Sequence, residues 1–407
     1  MRNCITNEFE DKRIPKVIVR YLQSIYKNWI QVPNYSLIQR GSLREYKFPG
    51  YETFFGYYDR SPFNTERSYL LFYRSPISTK FNPRLNTPIE LVLWDNWQEQ
   101  IIKIWKIWSY NWQQGSKAQW ISNYEFIFNN YDSNTNSYIA IVVDINNLSE
   151  KRLEYPSYES CKDFYLTLNF NRLSQLRPDY GYRNIVPQDL NDNNDGVFIH
   201  HFKNNKTELI ISISDLCKLS FKESMKGAQH KVNHIMLTPD GSKFMFMHRW
   251  IKNGIKEDRL YIYDFSAKTL RCVADYGMVS HCYWWSDYII GYMKGPSGLP
   301  GYYKIDTKDT SINLLSDYIQ YFGDGHPSIY QNMMVFDTYP DSQRLKYLYM
   351  YDLIGEKLIE LGSFKEALGY ECQCRCDLHP RLVDQNIISF DSTHSGTRCF
   401  CVLTLDK

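Results

Sequence analysis

Four histidines recur at matching positions in the second half of the chain, and their imidazoles have the chemistry of metal ligands and acid–base groups. They are His234, His281, His326 and His379, and each opens a short run of strand-forming residues. Histidine is favoured neither in strands nor in turns, so β structure alone does not explain the recurrence. A single imidazole of this kind would most simply bond neighbouring backbone groups. Four of them repel one another when protonated, which favours neutral ligands of a divalent ion or acid–base groups.

Two of these histidines lie in a phrase that the chain contains twice. The first copy begins at Gly323 with GDGHPS and ends at Asp337, and the second begins at Cys376 with CDLHPR and ends at Asp391. Each copy has His-Pro, a polar gap, a run of strand-forming residues and then Asp followed by Thr or Ser. A unit that recurs at about 40–55 residues is typical of β-propeller blades.

The phrase belongs to a longer series, which predicts an all-β fold, a seven-bladed β-propeller over residues 37–407. The openings of the seven units are GYYDRSP from residue 56, WQQG from 112, YPSY from 155, VNH from 232, VSHC from 279 and the two His-Pro phrases. They are about 45–56 residues apart, except for one step of about 76. That step predicts an insertion with a helix near residues 213–227. Six or eight blades remain alternatives.

The first 36 residues form a separate N-terminal extension in this interpretation. Residues 16–30 place apolar side chains at three- and four-residue spacing, which predicts an amphipathic helix. A strand within residues 38–48 is expected to pair with the last strand, RCFCVLTL, and so to close the ring.

Composition excludes several classes of protein. The formal net charge of +2 argues against a nucleic-acid partner, and neither a signal-peptide core nor a run of 18 apolar residues occurs. We therefore expect no membrane span, a cytoplasmic protein and reduced thiols for the ten cysteines. Cys372, Cys374 and Cys376 alternate, which predicts that they share one face of a strand.

Other side chains in the second and third units suit an acidic sugar. Arg172 could neutralise a carboxylate, and Tyr158 beside such cations could have its phenol pKa lowered enough to act as a base. Gln114 and Asn130 are neutral hydrogen-bonding residues for sugar hydroxyls or carboxylates. Cys282 and Cys376 could add a thiolate if the metal is zinc. Neither a P-loop, a dinucleotide fingerprint nor a His-Glu-x-x-His motif occurs in the sequence.

Several phrases resemble those of a known group of proteins. FFGYYDRSPF, WQQGSKAQW, NHIMLTPDGSKFMFMHRW, GMVSHCYW, DGHPS and CRCDLHPRL are similar to phrases of bacterial seven-bladed propeller proteins often found near polysaccharide gene clusters. That group is similar in architecture to oligogalacturonate lyases and to one family of ulvan lyases. The resemblance covers about residues 50–400.

The resemblance implies a lyase that cleaves uronic-acid-containing glycans by β-elimination. It implies Tyr158 as base, Arg172 as carboxylate neutraliser and His234 as a second acid–base group. It also implies His281, His326 and His379 as ligands of a divalent metal, zinc or manganese. Gln114 and Asn130 stand where an ulvan lyase is expected to have histidines, which favours an intracellular acidic oligosaccharide as substrate.

Two alternatives stay open at this point. The chain could be a non-catalytic carbohydrate-binding or scaffold propeller of a surface-polysaccharide pathway, with a structural metal. A glycoside hydrolase with paired carboxylates would need inward acids such as Asp59, Asp324 and Asp377, although each of these also suits a turn.

Overall fold

The chain folds into seven β-sheets that form the blades of a propeller, in a computed structural model that describes residues 38–184 and 192–406. This confirms the predicted blade number and excludes six or eight. The N-terminal extension and its predicted helix over residues 16–30 lie outside the described residues.

Each blade is an antiparallel sheet whose strands follow one another from the channel outward. Blade 1 comprises Glu52–Phe54, Tyr69–Ser75, Ile89–Asp95 and Gln100–Ile107. Blade 2 comprises Gln119–Trp120, Glu125–Asp132, Ser137–Asp144 and Ser149–Leu153. Blade 3 comprises Glu159–Ser160, Phe164–Thr167, Gly196–His201 and Lys206–Ser212. Blades 4 and 5 comprise Gln229–Leu237, Lys243–Lys252, Ile255–Asp264 and Thr269–Gly277; and Val279–Trp285, Tyr288–Lys294, Pro300–Asp306 and Ile312–Leu314. Blade 6 comprises Ser328–Tyr330, Met333–Asp337, Leu345–Asp352 and Leu358–Lys365, with Ile38–Gln39 on its outer edge, and blade 7 comprises Arg381–Leu382, Ile387–Ser392, Cys399–Thr404 and Ser42–Tyr46.

Burial within a blade depends on the distance from the channel. The third strand of blade 1, Ile89–Asp95, is buried on both faces because the neighbouring blades cover it. The outer strand Gln100–Ile107 alternates between exposed and more buried positions. Inner strands therefore have nearly continuous apolar sequences, and outer strands keep the period of two.

The ring closes where the sequence predicted. Ser42–Tyr46 pairs antiparallel with Cys399–Thr404, with Leu43 opposite Leu403. The Tyr46 ring packs against Phe72 of blade 1 and Phe400 of blade 7, at 5.6 and 5.3 Å between centroids. The strand therefore supplies the outer edge of blade 7 and joins it to blade 1.

Blade 3 carries the predicted insertion. Helix α1, Phe170–Leu176, begins after the second strand of the blade, and helix α2, Ile213–Lys218, follows the fourth strand. A short 3-10 helix, Glu223–Met225, completes the helical segment predicted near residues 213–227.

Two local predictions are wrong. In the third unit the run DFYLTLNFNRL predicts one continuous strand, but the Asn169 side chain accepts hydrogen bonds from the backbone of Asn171 and Arg172 and starts helix α1. Cys372–Cys374 is a 3-10 helix, so the three alternating cysteines do not share a strand face. The cysteines of the described ranges form no disulfide with one another.

Among residues 38–184 and 192–406, the helices are too short and too polar to cross a membrane.

Candidate functional site

The four predicted histidines converge inside the channel, one from each of blades 4 to 7. The ring centroids of His281 and His326 lie 4.0 Å apart, and those of His326 and His379 lie 4.3 Å apart. His234 lies 6.5 Å from His281 by the same measure. We call these four residues the channel histidines.

One carboxylate orients two of the channel histidines. Asp337, at the end of the second strand of blade 6, accepts hydrogen bonds from the backbone N–H of His326 and of His379, at 2.7 and 3.1 Å. Its Oδ1 also accepts from His326 Nδ1 at 2.8 Å. The repeated phrase thus has a structural reason, because its last Asp holds the histidine that opens it and the histidine of the next blade.

Asp391, which ends the second copy of the phrase, likewise holds the backbone at the opening of the next blade, blade 1. Asp391 accepts hydrogen bonds from the backbone of Phe55 and Gly56, at 3.0 and 2.7 Å. Gly56 has a φ of 109°, and a Cβ there would lie 2.9 Å from Gln113 O. Only glycine fits this tight opening without strain.

Tyr57 fills the centre of the histidine cluster. Its ring centroid lies between 5.0 and 6.5 Å from those of all four channel histidines. Its hydroxyl lies 2.9 Å from His234 Nδ1. Sequence reasoning missed this residue, although Tyr57 occupies in blade 1 the opening position that the histidines occupy in later blades.

His234 is held from both sides of its ring. Its Nε2 accepts a hydrogen bond from Arg249 Nη1 at 3.0 Å, so in the neutral ring the proton lies on Nδ1 and is donated to Tyr57. Burial, and then the charge of Arg249, hold the pKa of His234 well below its ordinary value. His234 is therefore neutral at physiological pH and shares a proton with a tyrosine hydroxyl.

His326, His379 and Asp377 have the geometry of a metal site. Neither His326 Nε2 nor His379 Nε2 has a hydrogen-bond partner among the residues that the structure describes, although both atoms are buried. Asp377 Oδ2 lies 3.8 Å from His379 Nε2, and the ligand atoms of the three residues all lie within 4.8 Å of one another. Two imidazole nitrogens and a carboxylate suit zinc or manganese.

The carboxylates bonded to the Nδ1 atoms of His326 and His281 also support a metal site. His326 donates Nδ1–H to Asp337, and His281 Nδ1 lies 2.9 Å from Asp324 Oδ1. A carboxylate on one ring nitrogen orients the other nitrogen toward a metal. The His281 ring lies beside that of His326, so His281 is a candidate fourth ligand.

Burial and charge set the protonation of these ligands. Burial, and then nearby His326, lower the pKa of His379 well below its ordinary value, and the same two causes lower that of His281. Burial also opposes the charged form of His326, but the carboxylates of Asp337 and Asp377 outweigh it and raise its pKa. The carboxylates therefore favour positive charge at His326, and a metal ion bound there would replace a proton beside two neutral imidazoles.

The two cysteines proposed as thiolate ligands do not favour that form. Cys282 packs against Gly291, where a Cβ would lie 2.5 Å from its sulfur. Burial raises the pKa of Cys376 to about 12 and raises that of Cys282 as well. The neutral thiol is favoured in the metal-free protein, and among the described residues neither sulfur forms a ligand group with the channel histidines.

Tyr158 lies in the channel next to His234, but its environment differs from the prediction. Its hydroxyl donates to Asn233 Oδ1 at 2.8 Å and accepts from His234 N–H at 3.2 Å and Gln114 Nε2 at 3.3 Å. Complete burial, and then the charge of Asp59, raise its phenol pKa rather than lower it. Tyr158 and Gln114 therefore position the backbone of His234.

Arg172 and Asn130 do not reach the channel histidines. The Arg172 guanidinium pairs with Asp195 at 2.6 Å and Asp192 at 2.9 Å, and donates to the His230 carbonyl, because helix α1 directs it into the insertion. Asn130 bonds the backbone of Lys106 and Trp108 on the outer strand of blade 1. Its neighbour Asn129 is the buried residue, since adjacent strand residues point to opposite faces.

Two other arginines approach the channel histidines, and both are paired with carboxylates. Arg177 and Arg375 both bind Asp179, each at 2.8 Å, and their side chains are 39% and 19% exposed. Arg375 also pairs with Asp377 at 2.7 Å. Both guanidiniums lie over the Tyr180 ring, which contacts His234 at 5.3 Å between centroids. Sequence reasoning missed both arginines, because their loops come together only in the folded chain.

A cavity lies at the mouth of the channel opposite the channel histidines. It has a volume of about 880 Å³ and is lined by the turns that join the first and second strands of several blades. Asp59, the Arg60–Glu159 ion pair, Trp120 and Trp285 are part of its wall. The first strands run from the histidine end toward these turns, so this cavity and the histidines lie at different ends.

Comparison with known proteins supports the fold. A family-model scan and a search of curated proteins each found nothing that matches this chain. Among solved structures, it is similar to an oligogalacturonate lyase in complex with manganese, with a TM-score of 0.62 and 14% identity over 92% of this chain and 96% of that one. It is also similar to an oligogalacturonate lyase from Vibrio parahaemolyticus, with a TM-score of 0.60 and 12% identity over 92% and 97% of the two chains. The shared fold thus extends over nearly the whole of each chain.

Proposed function

We propose that this protein is a metal-dependent lyase that cleaves uronic-acid-containing oligosaccharides by β-elimination. The observation that carries the proposal is the pair of buried, unpartnered Nε2 atoms of His326 and His379 beside Asp377, among the described residues. The likeness in fold to oligogalacturonate lyases supports it. Fold alone does not fix a reaction, so the site carries the argument.

The proposed metal ion would hold the sugar carboxylate. His326, His379 and Asp377 would bind the ion, with His281 beside them. A divalent ion there would neutralise the uronate carboxylate and make the C5 proton more acidic. Zinc and manganese both suit this donor set.

Arg177 and Arg375 would bind the acidic sugar at this mouth. Both are partly exposed and share Asp179, and Arg375 also pairs with Asp377, so they would act through their hydrogen-bond donors rather than through uncompensated charge. Guanidinium groups bind carboxylates through paired hydrogen bonds. We therefore assign to them the carboxylate-binding role that was predicted for Arg172.

The His234–Tyr57 pair would carry the proton chemistry. His234 is the most exposed channel histidine, at 9% against 6% for His281 and 2% for His326 and His379. As base it would take the C5 proton on Nε2, which Arg249 would first have to release, while the C4–C5 double bond forms and the C4–O bond breaks. Tyr57, which shares a hydrogen bond with His234, would return a proton to the leaving oxygen.

The test is the appearance of unsaturated uronide. The metal-supplied protein is incubated with a panel of uronate oligosaccharides, beginning with oligogalacturonate, and ultraviolet absorbance follows the conjugated double bond. His326→Ala and His234→Ala should lose turnover, whereas His201→Ala, on an outer strand of blade 3, should retain it. Absence of product across the panel, with metal bound to the protein, would refute the proposal.

The second candidate is a glycan-binding propeller with a structural metal. The observation that favours it is the deep burial of the channel histidines, around a centre that Tyr57 fills. In that case His326→Ala should lower the melting temperature and leave glycan affinity unchanged. A lyase instead requires that the same variant lose turnover on a substrate it still binds.

A further inference from the structure

A second group of metal-ligating side chains lies outside the channel, where the insertion packs on blade 4. Cys217 belongs to helix α2, and His230 and His248 belong to the first and second strands of blade 4. Cys217 Sγ lies 3.4 Å from His230 Nδ1, which lies 3.0 Å from His248 Nε2. These three atoms point at one another from three separate elements.

The hydrogen bonds of His230 direct its free electron pair into this group. Its Nε2 lies 3.1 Å from the Met225 carbonyl, which can only accept, so Nε2 carries the proton. Nδ1 is then unprotonated and faces Cys217 and His248. A backbone carbonyl on the far nitrogen is a usual partner of a metal-binding histidine.

We propose that Cys217, His230 and His248 form a zinc site that is separate from the channel. Zinc prefers sulfur and imidazole nitrogen in tetrahedral geometry. Ligands at the usual zinc distances lie about 3.3–3.8 Å apart, so the sulfur–nitrogen distance already fits and the two nitrogens need to separate by a few tenths of an ångström. A water molecule would complete the four ligands.

The surroundings permit a cation in this position. Arg172 and Arg259 lie close enough to act on His230, and both would repel zinc if unpaired. Arg172 is paired with Asp192 and Asp195, and Arg259 shares Asp275 with Lys222, so three cations face three carboxylates. Their charges are therefore largely balanced.

Access and location indicate a structural role. Cys217 is partly exposed, so an ion can enter from solvent, while His248 is fully buried and fixes the site within blade 4. The bound ion would tie the insertion to two strands of the propeller. Since structural zinc stabilises only the folded chain, metal should raise the melting temperature independently of catalysis.

Cobalt(II) provides a readout that separates this site from the channel. The full chain carrying His326→Ala, which disables the channel site, is titrated with cobalt(II), and absorbance is recorded in the near ultraviolet. A thiolate-to-cobalt charge-transfer band should appear at about one equivalent and disappear in His326→Ala/Cys217→Ser. His326→Ala/Cys161→Ser is the matched control, because Cys161 is a partly buried thiol on a turn of blade 3.

The same three proteins are then melted with and without zinc. Zinc should raise the melting temperature of His326→Ala and of the Cys161 control, but not of the Cys217 variant. Absence of a thiolate band in His326→Ala, or a band that persists without Cys217, would overturn the proposal. If His230 and His248 only form a hydrogen bond and bind no metal, cobalt should give no thiolate band.

Discussion

Asp337 shows how much a single residue contributes to the candidate site. Its two oxygens bond the backbone of His326 and His379 and the ring of His326. Because one carboxylate serves two blades, a change there alters both proposed ligands at once. Residues of this kind position ligands without touching the metal.

Asp337→Asn is therefore expected to weaken metal binding by about 10- to 100-fold, since the amide keeps the shape but loses the charge that orients His326. The unfolding free energy should fall by about 1–3 kcal/mol, because buried N–H groups lose part of their acceptor. Metal titration and urea unfolding measure the two effects. Asp341→Asn, on an exposed turn, is the control, and equal metal affinity in both variants would contradict this role.

Tyr57→Phe tests the proton chemistry with little change in packing. The ring remains against the channel histidines, but the hydroxyl on His234 is lost. Turnover should fall by about 100-fold or more, as expected for the loss of an acid–base group. Turnover and melting temperature are measured together, and full activity in the variant would exclude Tyr57 from proton transfer.

His234 is expected to make the folded state less stable in acid. Burial and Arg249 hold the pKa of His234 well below that of an unfolded histidine. Below about pH 6.5 the unfolded chain binds a proton there that the folded protein does not, so stability is lost as the pH falls. The effect of one such group is on the order of 1 kcal/mol per pH unit.

Urea unfolding of metal-free protein between about pH 5 and pH 7 measures this dependence. His234→Gln should show a shallower loss of stability than the unchanged protein. His201→Gln, outside the channel, should keep the steeper one. Equal slopes for the protein and His234→Gln would show that His234 titrates normally.

At the level of elements, a substitution in the strand Ser42–Tyr46 tests whether this strand closes the ring. Tyr46 is 4% exposed and contacts aromatic rings of blades 1 and 7, whereas Tyr124 is 47% exposed. Tyr46→Ala should destabilise the protein by about 3–5 kcal/mol, as for other large buried rings. Tyr124→Ala should have an effect of about 0.5 kcal/mol or less.

Chemical unfolding followed by circular dichroism distinguishes the two tyrosine variants. If both have the same small effect, the strand does not close the ring in solution. If Tyr46→Ala alone unfolds early, the contacts between blades 1 and 7 are confirmed as a main source of stability.

Sequence periodicity predicted the elements better than it predicted where single side chains point. The recurring openings gave seven blades and brought His234, His281, His326 and His379 together, because equivalent positions in a propeller share one radius. The prediction for Asn130 was wrong because its side chain faces blade 1, whereas that of Asn129, one position earlier, is buried on the opposite face of the strand.

Other errors arose from contacts that the sequence does not display. Arg172 was assigned to the channel because its run resembles a strand, but the cap at Asn169 turns that run into helix α1. The raised pKa of Tyr158 follows from complete burial, which only the folded channel imposes. Arg177 and Arg375 meet at Asp179 although they are far apart in the chain.

At the level of the whole molecule, the channel has two different ends. One holds the channel histidines with Arg177 and Arg375, and the other opens into the cavity lined by Trp120, Trp285 and the Arg60–Glu159 pair. The proposed lyase site uses only the first end. The proposed zinc site at Cys217 lies between the insertion and the first two strands of blade 4.

Elemental analysis of purified Cys217→Ser protein tests the central claim, a metal held by His326, His379 and Asp377, most directly. This background removes the second proposed site. Because Glu45, Cys399 and Cys401 also lie close together, a bound ion is assigned to the channel only by its loss when a channel histidine is changed. We predict about one equivalent of zinc or manganese, lost when His326 or His379 is also changed to Ala and retained with His201→Ala. Absence of metal after growth and purification with both ions supplied, or metal that persists in the His326→Ala and His379→Ala proteins, would contradict the account.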